Sequence, residues 1–255
     1  MYQNFDFSKE GAIGIIDMKG ITLKPEFAGE LLDILYKATN DTEVRVVLIK
    51  NDNKYFSVGG DLSSPNAPNT SLEFKEFIHR FGAVVHKIYT MPEPVVCLVN
   101  GMAAGGGANL ALCCDFVLIS EKAAFAEVFV NINYVPDTGG LYNLVQLIGI
   151  RKAKEICMTA KKINGQEAVE MGLANRLVPS EQLMAEGMKL ANELASKPPL
   201  ALRFIKELCF KMPELSYSTY SGYEENIMLL LRTCDDYKEG IAAFKEKRQP
   251  VFTGK

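Results

Sequence analysis

Three consecutive glycines, Gly105, Gly106 and Gly107, are the feature that most constrains this chain. They follow the apolar run 94–99, which is typical of a buried strand, and precede residues 110–115, which have the composition of a buried helix. Glycines at a helix entrance allow close approach of a bulky group and leave free N–H groups at the positive end of the helix dipole. Such a site binds an anion at rest, or an oxyanion that forms during a reaction.

Two phosphate-binding motifs are excluded at these glycines. A Walker loop requires Lys followed by Ser or Thr, and no such pair follows here. The dinucleotide fingerprint G-x-G-x-x-G is not met either, because Leu110 stands where the third glycine would follow Gly105 and Gly107. The pattern therefore favours the oxyanion, with a plain strand-to-helix turn as the alternative for a glycine triplet taken alone.

A second pair, Gly59-Gly60, follows the strand-like run 45–50 and precedes Asp61. The two blocks F-S-x-G-G-D-L and N-G-x-x-x-G-G-G are separated by a helical stretch. Together they resemble the enoyl-CoA hydratase/isomerase (crotonase) superfamily. The resemblance implies that the backbone N–H groups of Gly60 and Gly106 form an oxyanion hole. This hole would hold the thioester carbonyl of an acyl-CoA as it becomes an enolate.

The resemblance extends over nearly the whole chain, through segments 42–48, 123–140, 148–153, 168–174 and 244–252. It implies an α/β fold, a crotonase-like spiral of ββα units over residues 1–195. A C-terminal helical region, residues 196–255, would then mediate assembly into a homotrimer, or into a hexamer by doubling. Coenzyme A is expected as part of the thioester substrate, with no separate cofactor.

Alternating strand-like and helix-like runs independently predict parallel ββα packing. The strands are predicted at 12–17, 45–50, 95–99, 116–120 and 176–178, and the helices at 25–38, 72–90, 141–159, 166–171 and 180–196. Pro198-Pro199 marks a break before a helical tail from 200 to about 248.

Composition excludes several function classes. No apolar run reaches membrane-spanning length, although 48% of the residues are hydrophobic, so we expect no membrane partner. A net charge of −3 offers no electrostatic basis for binding nucleic acid. The first residues resemble no signal peptide, which predicts a cytoplasmic enzyme. The six cysteines form no C-x-x-C pair and lie far from both histidines in sequence, so we predict reduced thiols and no metal site.

The catalytic acid or base is the decisive question, because fold does not determine reaction. Hydratases of this superfamily carry two glutamates, at positions occupied here by Asn109 and Phe129. Asp137, in the segment P-D-T-G-G, instead resembles the carboxylate of acyl-CoA double-bond isomerases, including 1,2-epoxyphenylacetyl-CoA isomerases and Δ3,Δ2-enoyl-CoA isomerases. One carboxylate suffices for that chemistry, since it removes a proton and returns it at another carbon. Glu127 is the reserve candidate, provided that its segment is extended and so places it on the face of Phe129.

The predicted substrate-binding residues are Val58, Asp61, Leu62, Asn109, Phe129 and Val135. The resemblance implies that the adenine binds near Asp61 and Leu62. Asn109 would position the thioester or a water molecule, unless it only packs or caps a helix. Phe129 and Val135 would form part of an apolar acyl pocket, which raises the pKa of Asp137. On the helix predicted at 72–90, Phe81 or His86 would touch the substrate, the alternative being a solvent or groove face.

The sequence is also compatible with other functions. They are an enoyl-CoA hydratase, a decarboxylase or hydrolase of β-keto or malonyl thioesters, and a non-catalytic scaffold that keeps only the CoA pocket. A non-catalytic scaffold would not need two sets of free N–H groups, which argues against this alternative. A dehalogenase with Asp137 as nucleophile is more distant, because the chain contains no tryptophan.

Overall fold

The computed structural model describes residues 2–61, 68 and 70–255. In these residues the strands are β1 (Phe5–Glu10), β2 (Ile13–Met18), β3 (Thr22–Leu23), β4 (Val46–Lys50), β5 (Gly59–Gly60), β6 (Val95–Val99), β7 (Met102–Ala104), β8 (Phe116–Ser120), β9 (Ala124–Ala126), β10 (Lys162–Asn164) and β11 (Arg176–Val178). The helices are α1 (Pro25–Asn40), α2 (Ser71–Thr90), α3 (Gly106–Leu112), α4 (Gly140–Thr159), α5 (Gly165–Met171), α6 (Leu183–Ala195), α7 (Pro199–Lys211), α8 (Tyr217–Thr233) and α9 (Asp235–Glu246).

The chain winds as a repeating unit of a long strand, a short strand and a helix. The long strands form one sheet in the order β1-β2-β4-β6-β8-β11. Within it, β1 and β2 are antiparallel, and every other neighbouring pair is parallel. The short strands form a second sheet, β10-β9-β7, and a separate pair, β3-β5. This is the predicted spiral of ββα units, and the strands predicted at 95–99, 116–120 and 176–178 have the bounds observed here.

Both faces of the main sheet are buried, which explains why its central strands read as continuous apolar runs. Side chains alternate across the sheet, so that Val47 and Ile49 face the core shared with α1 and α2. Val46 and Leu48 face the other way and pack with side chains of α6. The strand β1, which the sequence did not reveal, lies at the edge and is mostly exposed beyond Phe5.

Two predicted helices differ from the structure, and the one predicted at 180–196 begins with a 3-10 helix, Ser180–Gln182, before α6. The helix predicted at 141–159 is interrupted at Gly149, whose φ of 76° and ψ of 160° lie outside the helical region. Glycine adopts this conformation without steric cost. The helix kinks there, while the apolar pattern of the sequence continues on both sides of the kink. No helix in the described ranges is both long and apolar enough to cross a bilayer.

The helices after Pro198 pack onto the spiral through α7, which lies against α2. Lys206 of α7 forms an ion pair of 2.7 Å with Asp115, at the start of β8. The guanidinium of Arg45 donates a hydrogen bond of 2.7 Å to the carbonyl oxygen of Phe252. These contacts connect the C-terminal helices to the sheet, while a division into regions at residue 195 stays a prediction.

Candidate active site

The first glycine pair lies directly against the second glycine block. The N–H of Ala104 donates to the carbonyl oxygen of Ser57 at 2.8 Å, and the N–H of Ser57 donates to Met102 at 3.2 Å. Gly59 has a φ of +85°, and a Cβ there would lie 2.9 Å from the carbonyl oxygen of Ala104. Conformation and close approach therefore both require glycine at this position. Gly60 follows Gly59 in the same short strand, β5, which lies beside the start of α3.

The glycine triplet forms the turn from β7 into α3. The N–H of Gly105 donates to Ala126 at 2.9 Å, which ties the turn to β9. Gly106 is the first residue of α3, so its N–H is among those without a partner inside the helix. A Cβ on Gly107 would lie 2.4 Å from the Cβ of Ser57, so close packing of the two loops excludes any side chain there.

One cavity of about 100 Å³ unites the two loops with a carboxylate. Gly60, Gly106 and Asp137 all line it. Its remaining walls are largely apolar and include Leu23, Val58, Phe74, Phe77, Phe81, Val128, Phe129, Ile132 and Tyr134. The cavity therefore combines backbone donors, one acid group and a mainly hydrocarbon surface.

Asp137 is held by hydrogen bonds from two side chains. The hydroxyl of Thr138 donates to its Oδ1 at 3.0 Å, and Nδ2 of Asn109 lies 3.4 Å from the same oxygen. Burial raises the pKa of the Asp137 carboxyl, and the hydrogen bonds from Thr138 and Asn109 oppose that shift. A carboxyl with a raised pKa is a better proton acceptor when ionised and a usable donor when neutral.

Glu127 is a second buried carboxyl near this cavity. It lies between β9 and a 3-10 helix, Val128–Ile132, and only 2% of its surface is exposed. Neither carboxyl oxygen has a hydrogen-bond partner in the described part of the chain. Burial, and next the charge of Asp137, raise its pKa to about 8. Glu127 is therefore neutral over much of the physiological range.

The comparison with known sequences decides the family. The sequence model of the enoyl-CoA hydratase/isomerase family matches residues 9–255. The chain belongs to the enoyl-CoA hydratase/isomerase family. The expected acyl-CoA chemistry and crotonase fold therefore rest on the whole chain and not on the glycine blocks alone.

The relatives in the family include proteins named as isomerases and proteins named as hydratases. A trans-2-decenoyl-(acyl-carrier-protein) isomerase of Streptococcus mutans is 33% identical over 230 residues, which cover 89% of this chain and 87% of that protein. A putative enoyl-CoA hydratase of Thermus thermophilus is 35% identical over 238 residues, covering 90% and 91%. The crystal structure of an enoyl-CoA hydratase from Bacillus anthracis superposes with a TM-score of 0.95 at 28% identity, covering 99% of this chain and 100% of that one.

The structure brings most of the predicted site residues together. Gly60, Gly106 and Asp137 line one cavity with Val58 and Phe129. Asp61 directly follows Gly60 and is partly exposed, but it does not line the cavity. Leu62 lies outside the described residues. The roles assigned to all of these residues stay predictions.

Two more of the predicted substrate-binding residues, Asn109 and Val135, do not line the cavity, and their contact with substrate stays a prediction. Asn109 is 0% exposed and does not line the cavity, because its side chain points from α3 toward the backbone behind Asp137. Val135 is 74% exposed and is also absent from the lining, since it lies in the irregular turn between the 3-10 helix and α4. Asn109 thus contacts the candidate acid and not the space for substrate.

The helix α2 supplies more of the lining than the sequence indicated. Phe81 lines the cavity as one alternative predicted, and Phe74 and Phe77 join it at helical spacing on the same face. His86 is exposed and packs edge-on against Phe210, away from the cavity. The spacing of these phenylalanines was visible in the sequence, but nothing local distinguishes a pocket wall from a core face.

Proposed function

We propose that this member of the family is an isomerase that moves a carbon–carbon double bond in an acyl-CoA thioester. The supporting observation is that Asp137 is the one carboxylate on the cavity lining within the described chain, beside Gly60 and Gly106. The glutamate positions of hydratases hold Asn109, which is off the lining, and Phe129, which presents a hydrocarbon ring to it. Coenzyme A enters as part of the substrate, and no separate cofactor is required.

Asp137 acts in turn as base and acid on a 3-enoyl thioester. Its carboxylate accepts the α-proton, and the electron pair moves into a dienolate whose negative charge lies on the thioester oxygen. The N–H groups of Gly60 and Gly106 donate hydrogen bonds to that oxygen. The same carboxyl then returns the proton to the γ-carbon as the carbonyl re-forms, which leaves the double bond between the α- and β-carbons.

The surroundings of Asp137 disfavour addition of water. Hydration requires a water molecule held by polar groups next to the β-carbon, and two carboxylates perform that role in family hydratases. Here Phe129, Val128 and Ile132 border the same cavity as Asp137. An apolar wall holds water poorly and protects a dienolate from side reactions.

The experiment replaces Asp137 by asparagine, which is nearly isosteric but accepts no proton. Asp137→Asn is expected to bind acyl-CoA as the unaltered protein does and to lose about 10²–10⁴-fold in isomerisation of 3-enoyl-CoA, together with exchange of α-protons with D₂O. Glu127→Gln is the matched control. Normal exchange in Asp137→Asn with loss in Glu127→Gln would assign the base to Glu127. Hydration of 2-enoyl-CoA as the dominant reaction of the unaltered protein would contradict isomerisation.

We also propose that the protein assembles as a homotrimer, or as a hexamer of two trimers. Support comes from apolar side chains that remain exposed on α8, including Met228 at 62% and Leu229 at 67%. Contiguous exposed apolar surface of this kind is typical of an interface between subunits. Sedimentation should give three or six times the mass of the 28.2 kDa chain, whereas a stable monomer at micromolar concentration would contradict the proposal. The cytoplasmic location stays a prediction.

A further inference from the structure

A second and larger cavity borders the loop that carries Asp137. Its volume is about 490 Å³, roughly five times the 100 Å³ of the first cavity. Asp137 lines the first cavity, Gly139 lines the second, and Thr138 lines both. The two spaces are therefore neighbours with one lining residue in common.

The helix α2 forms a wall common to both cavities. Phe74, Phe77 and Phe81 border the first, and residues on the adjacent stripe of the same helix border the second. That stripe includes Ile78, Gly82 and Val85. Since both stripes belong to one continuous helix, the two cavities lie next to each other along α2, with Thr138 at their common edge.

The second cavity offers a hydrocarbon interior with a polar rim. Phe210 of α7 stacks on the ring of Tyr89 at a centroid distance of 4.9 Å, and both line the cavity. The hydroxyl of Tyr89 donates a hydrogen bond to the side chain of Asn143. The part of Tyr89 that is left for a ligand to contact is therefore its ring. His86 and Glu214 are exposed and lie at the edge.

Gly82 lines this cavity without contributing a side chain to it. It lies within the twenty-residue helix α2, where glycine is roughly 1 kcal/mol less favourable than alanine. A Cβ at Gly82 would meet no atom of the described residues within 4 Å, and no left-handed φ requires glycine there. Neither packing nor backbone conformation therefore explains this residue. What glycine does here is leave the cavity wall without a side chain.

We propose that the second cavity takes the distal part of the acyl chain, so that the preferred substrates are thioesters of medium or long acyl groups, and that Gly82 determines this preference. This inference rests on the proposed thioester site. With the α- to γ-carbons beside Asp137, the chain continues past Thr138 along α2 and alongside the stacked rings of Tyr89 and Phe210. Each methylene that enters contributes about a fourfold gain in affinity.

The experiment compares hexanoyl-CoA with dodecanoyl-CoA in calorimetric binding, and 3-hexenoyl-CoA with 3-dodecenoyl-CoA in turnover. The unaltered protein should prefer the longer chain at least about tenfold in binding. A leucine at position 82 leans back over Ile78 and projects into the cavity, because helical side chains point toward the helix N-terminus. Gly82→Leu should therefore lose the longer chain by about tenfold or more and keep hexanoyl-CoA within about twofold.

Gly29→Leu is the matched control, since Gly29 is an exposed glycine of α1 whose Cβ would also meet no described residue within 4 Å. It should leave the preference for chain length unchanged. Equal affinity of the unaltered protein for the two chain lengths, or an unaltered preference in Gly82→Leu, would overturn the inference. The binding comparison needs no turnover. A preference that Gly82→Leu abolishes, in a protein that does not isomerise, would support the inference and contradict the proposed reaction.

Discussion

The side-chain amide of Asn109 donates a hydrogen bond of 3.0 Å to the backbone carbonyl oxygen of Asp137. Asn109 belongs to α3, the helix whose first residue is Gly106. One short helix therefore presents a candidate oxyanion donor at its start and holds the candidate acid one turn later. This arrangement determines the distance between the two groups without involving the substrate.

Replacing Asn109 by alanine tests that positioning role. Asn109→Ala removes the contact to the Asp137 backbone and the 3.4 Å contact to its Oδ1. We expect kcat to fall about 10- to 100-fold with little change in KM, because misplacement of a reacting group costs rate more than binding. The hydrogen bond also lowers the pKa of Asp137, so the acidic limb of the pH–rate profile should move to higher pH. A loss confined to thermal stability, with an unaltered pH profile, would contradict the role.

Gly106 allows a clean deletion of one oxyanion donor. It occupies the first position of α3, where proline is tolerated in helices, so Gly106→Pro removes the N–H while the helix start is retained. Turnover should fall about 10²–10³-fold. Gly106→Ala is the matched control, because it keeps the N–H and adds a Cβ that meets mainly the mobile end of Leu23. Similar turnover in the two variants, measured on folded protein, would remove the oxyanion assignment.

Glu127 should make stability depend on pH. Its pKa is raised from 4.5 in the unfolded chain to about 8 in the folded protein. The neutral carboxyl therefore contributes full stability below about pH 4.5, and this contribution is lost as the pH rises toward 8. The slope is about 1.4 kcal/mol per pH unit between these limits. Glu127→Gln stays neutral and should abolish this part of the slope in denaturant unfolding between pH 5 and pH 8.

Glu121→Gln, which replaces an exposed carboxylate just after β8, is the control for the substitution itself. A slope in Glu127→Gln equal to that of the unaltered protein would show that Glu127 does not titrate as its burial implies.

Local sequence determined the elements and the family chemistry of this protein. Apolar runs located β6, β8 and β11, and glycine blocks located both candidate oxyanion loops, because backbone conformation and strand burial leave a signature within a few neighbouring residues. The replacement of two glutamates by Asn109 and Phe129 was equally readable. The kink at Gly149 was not, since an apolar pattern continues through it.

Tertiary structure alone decided what each site residue faces. It placed Asp137 on the cavity, Asn109 behind it, Val135 in solvent and Glu127 in a buried position where no described residue donates a hydrogen bond to it. It also brought α2 and α7 together around a second cavity that no sequence motif predicts. The physical reason is that burial, cavity shape and pKa arise from contacts between segments distant in the chain. The spacing of residues in the sequence predicts contacts only between residues that are close together in the chain.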